Sequence, residues 1–478
     1  MELLKIGTKR EVFWDDYLAD AEKTTAKCSV CHLEEKEICF IFEQEQWIEH
    51  TSFSYPCVVK DDRGYRLYYS PWSFGKKEPY VSICVIESLD GIHWKRPHLD
   101  IYPHPEIVEN NIVLDHIMDS AFIFYDTNPA CPAEEKYKAV GQARGTYNGE
   151  ENVFGLWCWT SPDGYHFTLS HMLTNQGRFD SLNTVFWKEG KYYCYMRDFH
   201  NIIPGGEISD ATRDVRVMTS EDMIHWTKPK MLEFNDNYDI PLYTNNVVPY
   251  DRADHVFVGF PVRYCERKSM TENVEQFPSL PIKLNASKCC EYPVDIKRMA
   301  LVTTDCIFMC SRDGEKWYRY NEAFMTGGME TPENWVYGDC YLAYHWLDAG
   351  DDKLYLYDFD RHFVFDEPKR LRRYEIRKDG FACYMAGGEE AVLVTKPLEF
   401  SGKDLHLNFE TSAYGYIYVD VLDEAGNPIS GESFEIYGNT IDRKISFADG
   451  TDFSAFAGKP IRLRFRMRDA KLYSMKFE

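Results

Sequence analysis

The sequence predicts an all-β protein, a five-bladed β-propeller followed by a small C-terminal β-sandwich. Three observations predict it. A short turn motif recurs four times, each time after a β-rich stretch. Helical periodicity is weak throughout. Near residue 385 the texture changes to a period-two alternation that continues to the end.

The repeat reads Ser88-Leu-Asp90-Gly91-Ile-His-Trp94, then Ser161-Pro-Asp163-Gly164-Tyr-His-Phe167. It returns as Ser220-Glu-Asp222-Met-Ile-His-Trp226 and Ser311-Arg-Asp313-Gly314-Glu-Lys-Trp317. The chemistry is that of a hairpin turn. Aspartate caps backbone N–H groups, glycine takes positive φ, and the aromatic packs back between sheets. These aspartates are therefore read as structural. Two further strands precede each turn, so the unit has about four antiparallel strands, the repeat of a propeller.

The first blade holds Ser54–Val59, Tyr65–Tyr69 and the first turn. The second holds Ser120–Tyr125, Lys136–Val140 and the second turn. The third holds Asn183–Trp187, Lys191–Arg197 and the third turn, and the fourth runs from Asn245–Val248 through His255–Pro261 to the fourth turn. The fifth contains Cys340–Tyr344, Leu354–Tyr357 and Arg372–Arg377, without the motif. Arg10–Trp14 is expected to close the ring. The propeller is thus assigned to 1–385 and the sandwich to 386–478, where Leu405–Phe409, Gly415–Val421, Pro460–Arg466 and Leu472–Phe477 alternate.

Charge narrows the partners. With 54 Lys and Arg against 77 Asp and Glu, the net charge is −23, which repels nucleic acid and anionic membranes. Aromatic residues reach 15%, a composition that suits neutral polar rings. No apolar run is long enough for a membrane span, and the N-terminal segment lacks signal-peptide character, so a cytoplasmic location is expected. The 15 cysteines read as reduced thiols, which agrees with that location. Cys28-Ser-Val-Cys31 has the spacing of a metal knuckle without a second pair nearby, so no metal is assigned.

Several stretches carry a family resemblance. They are Val12-Phe-Trp-Asp-Asp-Tyr-Leu18, the four turns, Gly259-Phe-Pro-Val-Arg263-Tyr264, Asp379-Gly380-Phe381, and Gly458 to Tyr473. In these the chain resembles the five-bladed propeller glycosidases of glycoside hydrolase families 32, 43 and 68. Within them it looks most like bacterial family 32-like proteins with a C-terminal sandwich. The resemblance implies a carbohydrate-active propeller. The acidic motifs of that group are not intact: Arg197-Asp198 is followed by Phe199, and Cys265-Glu266 reverses a Glu-Cys pair.

Site residues are therefore read from blade position. The inner strand of each blade lines the central channel, and the residues just before it face the mouth. That station holds Trp47, Glu49 and His50 in the first blade and Asp115, His116 and Asp119 in the second. It holds Asp180 and Asn183 in the third and Tyr243, Thr244, Asn245 and Asn246 in the fourth. In the fifth it holds Glu330, Glu333, Trp335 and Asp339. Glycoside cleavage needs two carboxylates flanking the bond. Asp180, Glu49, Asp119 and Glu330 are the catalytic candidates, with Glu333 competing with Glu330. His50, Asn183, Asn246, Arg197, Arg213, Arg263 and Trp335 are the substrate-binding candidates. Arginine forks bind vicinal hydroxyls or a carboxylate, and several together suit a uronide, although pairing with the many acids competes.

The expected function is a glycoside hydrolase acting on a short glycan or glycoside. The alternatives are a non-catalytic carbohydrate-binding protein, or a phosphorylase or lyase on the same scaffold. No cofactor is required. A structural calcium would suit converging acids, and the sandwich leaves room for a homo-oligomer.

Overall fold

The computed structural model describes residues 3–42, 51–73, 80–103, 109–115, 121–205, 210–267, 276, 278–280, 301–348, 350, 352–362, 364 and 367–478. Five sheets make the blades of a propeller. The first is built on Thr51–Asp61, Gly64–Ser73 and Ile83–Ser88, with Ile112–Leu114 outside. The second is Ala121–Tyr125, Tyr137–Tyr147, Glu150–Ser161 and Thr168–Thr174. The third is Thr184–Lys188, Lys191–His200, Thr212–Ser220 and Lys230–Met231. The fourth runs from Val248–Pro249 through Phe257–Gly259 to Val302–Ser311 and Lys316–Met325, with Val262–Glu266 also on Val302–Ser311. The fifth is Leu347–Asp348, Lys353–Asp360, Arg370–Arg377 and, outermost, Glu34–Ile41.

The ring is closed by Glu34–Ile41 and not by Arg10–Trp14. Charge explains the choice. On the outer edge of the fifth blade, Arg372 and Arg373 meet Glu35 at 2.7 Å and Glu37 at 2.9 Å. The earlier segment is too apolar for such an edge. Phe13 and Trp14 are fully buried, and Glu11–Val12 pairs with Arg462–Phe477 instead.

Adjacent blades are joined along the channel. Val58 N donates to Tyr344 O, Thr184 Oγ1 donates to Asn245 Oδ1, and Asn246 Nδ2 donates to Leu342 O. Pairing gives the channel two distinct ends. Thr51 lies opposite Ser73 at the mouth, and Asp61 lies opposite Gly64 at the far end, where the repeated turns sit. In these turns the Asp Oδ1 accepts two backbone N–H groups, at 2.7–2.8 Å in the first and fourth copies. Serine Oγ accepts the glycine N–H at 2.9 Å in all three copies that have glycine.

Each turn is also fastened to the blade before it. Tyr357, Tyr68 and Tyr195 donate their hydroxyls to Gly91 O, Gly164 O and Gly314 O. All three tyrosines lie on the second strand of the preceding blade. The third copy carries Met223 at φ 68° instead of glycine, and there His171 Nε2 bonds Met223 O at 2.9 Å. The glycines are required twice over. Gly91 has φ 74°, and a Cβ there would sit 2.5 Å from Leu347 Cδ1 and 2.7 Å from the Tyr357 hydroxyl.

The C-terminal β-sandwich is organised by two long strands, Leu405–Leu422 and Arg462–Phe477, whose register shifts between Thr411 and Tyr416. Their sheet also takes up Ala382–Ala386, Ala391–Val394, Asn439–Lys444, Lys27–Val30 and Glu11–Val12. It therefore draws strands from both ends of the chain. Asp379 ties it to the propeller. Its carboxylate receives Tyr250 OH at 2.6 Å and Arg252 Nε at 2.8 Å from the fourth blade. From the sandwich it receives Ser474 Oγ at 2.6 Å and Asn408 Nδ2 at 3.0 Å.

Candidate functional site

The third blade places the most informative side chains at the mouth. Asn183 tightens the approach to the inner strand: Nδ2 donates to Phe179 O at 2.9 Å and Ser181 O at 2.7 Å, and Oδ1 accepts Arg197 N at 3.1 Å. Ser181 Oγ then donates to Tyr243 O at 2.9 Å, linking the third blade to the fourth. Between these anchors Asp180 is left with 54% of its side chain exposed, and Arg197, 2% exposed, reaches its Oδ1 at 2.7 Å. An exposed carboxylate is thus held by a sealed guanidinium.

Period-two alternation puts Arg197 and Phe199 on one face of Lys191–His200, and Phe199 lies opposite Arg213 on the next strand. The Arg197 guanidinium lies 4.7 Å from the Phe199 ring centre and 4.9 Å from that of Tyr243. The Arg213 guanidinium lies 3.8 Å from the centre of Tyr264. Such stacking favours arginine over lysine.

Tyrosines from three blades complete a cup. The Tyr243 hydroxyl accepts from Tyr55 OH at 3.3 Å and lies 2.7 Å from Tyr337 OH. Tyr243 stacks on Tyr264 with ring centres 5.4 Å apart, and Tyr55 stacks on Tyr341 at 6.1 Å. Tyr55 holds φ 53°, a strained value for a side-chain-bearing residue. Burial pushes the Tyr337 and Tyr341 hydroxyls well up, so both stay neutral. His362 packs beside them with Nε2 3.0 Å from Ser52 Oγ. Burial, reinforced by Lys369, pushes its imidazole down to about 3, so it too is neutral. Among the described residues the cup is therefore built of buried aromatic rings, neutral hydroxyls, one carboxylate and two guanidiniums.

The structure brings Asp180, Asn183, Arg197 and Arg213 together. Asn246 lies between the fourth and fifth blades, with φ 43° and Oδ1 buried without a hydrogen-bond partner among the described residues. Arg263 is committed elsewhere, gripping Asp305 through Nε and Nη2 and donating to Asn321 O. Glu330 is exposed on the loop joining the fourth and fifth blades at the mouth end. Trp335 braces that loop by donating Nε1 to Gly328 O at 2.9 Å. Glu333 pairs with Arg361 and Arg370. Glu49, His50 and Asp119 lie outside the described residues.

Sequence reasoning missed Tyr55, Tyr337, Tyr341 and His362. Three of these are tyrosines, and the signal that could have found them is their place within reach of Tyr243, already marked at the mouth of the fourth blade.

Two cavities flank this region. One, of about 550 Å³, lies beside the mouth between the fourth and fifth blades, bounded by Gly327, Asn334, Asp339, Asp358 and Arg370. Burial, with Asp360 and Asp339 nearby, pushes the Asp358 carboxyl well up. The other, of about 450 Å³, opens at the far end against Trp187, Lys188, Tyr344 and Trp346. The mouth is the better site, because it combines aromatic faces with an exposed carboxylate and adjacent guanidiniums.

No protein-family model matches the chain, and no curated protein matches it. Solved structures that share its general outline include a GH32 β-fructofuranosidase of Bombyx mori. That match has 9% identity and a TM-score of 0.42, and covers 90% of this chain and 94% of that one. A sucrose-6-phosphate hydrolase of Lactobacillus gasseri matches at 11% identity and TM-score 0.42, covering 88% and 93%. A structure from the GH130 family of mannoside phosphorylases, described as containing glycoside hydrolases that target β-1,2 mannosidic linkages, matches at 14% identity and TM-score 0.40, covering 72% and 94%. At these values the site is read from the geometry of this chain alone. No helix among the described residues is long and apolar enough to cross a membrane.

Proposed function

We propose that the chain is a glycoside hydrolase that cleaves a short glycan or glycoside at the channel mouth. One observation carries the reading: Asp180 stands exposed at the rim of a tyrosine cup with its carboxylate fixed by Arg197. Aromatic faces pack against the apolar faces of a sugar ring, and neutral phenols and a carboxylate bond its hydroxyls. Asp180, its carboxyl group fixed in place by Arg197, takes the role of base or nucleophile. Glu330, exposed on its loop, takes the role of general acid on a bound substrate. Glu49 and Asp119 remain candidates by their position in the sequence.

The test is release of product from a broad panel of aryl glycosides and plant oligosaccharides, with and without phosphate. Asp180→Asn should lower turnover by about 10²- to 10⁴-fold while leaving the fold intact. Equal turnover by variant and wild type would sink the assignment. The second reading, a binding protein without catalysis, is favoured by the sealing of Arg197 against Asp180. Calorimetry would then show sugar binding with no glycan cut.

A further inference from the structure

Arg213 stands out in the electrostatics of the mouth. The protein carries a net charge of −23, and its half-buried arginines are mostly paired with carboxylates, as Arg216 is with Asp198 and Arg263 with Asp305. Arg213 has no ion pair among the described residues. Its guanidinium carbon lies 3.8 Å from the centre of the Tyr264 ring, and its Nε is buried without a hydrogen-bond partner among the described residues. The Phe199 and Tyr243 rings, which also carry Arg197, lie 5.8 and 5.9 Å away. Among the described residues around Tyr243 there are thus two guanidiniums and one carboxylate, and that carboxylate is already paired with Arg197.

Withdrawing a guanidinium from water onto aromatic rings costs free energy that no carboxylate among the described residues offsets. We infer that the mouth takes an acidic sugar, a uronate unit, whose carboxylate is bound by Arg213. This rests on the reading of the mouth as a glycan site and narrows the substrate class. A planar carboxylate fits because one guanidinium is open. Arg197 is sealed and already spent on Asp180, so a single fork remains, and one fork matches one planar carboxylate in bidentate geometry. A free phosphate dianion would need several convergent donors. The stacked ring holds the guanidinium plane in place, so little side-chain freedom is lost on binding.

The experiment is calorimetric titration of the full chain with D-glucuronate, D-galacturonate, their neutral counterparts glucose and galactose, and inorganic phosphate. At least one uronate should bind about tenfold or more tightly than its neutral counterpart, consistent with a charge-assisted pair. The preference should shrink as sodium chloride is raised. Arg213→Gln should bring uronate and neutral sugar to near parity, and Arg213→Lys should recover part of the preference, with melting temperature confirming that both variants fold. The inference is overturned by equal binding of neutral and acidic sugars, by no uronate binding, or by a uronate preference that survives in Arg213→Gln. Phosphate binding that displaces uronate and depends on Arg213 would also overturn it, by assigning the fork to free phosphate. Failure of the hydrolase reading would look different: uronates would bind with the expected preference while no glycoside is cut.

Discussion

The two ends of the propeller are built on opposite terms. At the far end the same few atoms recur: an aspartate capping the turn, a serine under the glycine, and a donor from the preceding blade on the turn carbonyl. At the mouth no two blades contribute alike. One gives Asp180 and Arg197, the next Arg213's platform of Tyr243 and Tyr264, and the fifth Tyr337 and His362. Seating one blade on the next poses the same problem around the ring, and three of the four turns solve it with the same atoms. Surrounding an asymmetric ligand needs a different group from each side.

The comparison can be broken most severely at the mouth. Asp180→Asn should remove nearly all turnover while the protein stays folded, its melting temperature falling only modestly because the exposed amide oxygen can still accept from Arg197. A large drop in melting temperature would place Asp180 among the structural residues instead.

At the far end the expectation reverses. Gly91→Ala adds a left-handed strain to a clash with Leu347 and Tyr357, so it should destabilise by roughly 2–4 kcal/mol in denaturant titration. Activity per folded molecule should survive. Gly190→Ala serves as the control. Its φ is +88° but a Cβ would meet nothing within 4 Å, so only the backbone term of about 1–2 kcal/mol applies. Equal losses at the two glycines would show that the blade contact contributes nothing.

The junction responds to acid. Burial pushes the Asp379 carboxyl up, but Arg252, Arg10 and Ser474 outweigh it and hold it down to about 2, against its ordinary 3.8. A depressed carboxyl stabilises the fold above its unfolded value, and that contribution is lost as pH falls. Unfolding monitored from pH 5 to pH 2 should therefore reveal a loss of about 2 kcal/mol between roughly pH 4 and pH 2. The loss should be smaller by about that amount in Asp379→Asn, which is less stable at neutral pH, while the other depressed carboxyls, such as Glu375, still contribute theirs. An unchanged pH profile in that variant would contradict the assignment.

The smallest effect belongs to one hydroxyl. Tyr195→Phe removes the bond to Gly314 O and should cost about 1 kcal/mol. A neutral result would mean that packing alone seats the fourth turn.

These expectations follow what could be read in the sequence. The turns were legible because their chemistry is local: Ser, Asp, Gly and Trp lie within seven positions of one another, and each does its work there. The ring closure was misread because edge selection depends on distant partners, Arg372 and Arg373, which reject an apolar segment and accept alternating glutamates. The grouping of Asp180, Asn183, Arg197 and Arg213 at the mouth was legible because each lies at or near the start of an inner strand or a neighbouring strand end there. Arg263 passed the same positional filter, but Asp305 takes up its fork. The tyrosine cup was invisible because Tyr55, Tyr243 and Tyr337 are separated by nearly the whole propeller and meet only across the channel.

The most direct measurement is a crystal structure of the Asp180→Asn variant with an oligosaccharide that the wild type binds. The account predicts a sugar ring at the mouth, against Tyr243 and Tyr264, with a hydroxyl or the scissile oxygen at position 180. Sugar bound in the far-end cavity beside Trp187 and Trp346, with none at the mouth, would contradict it.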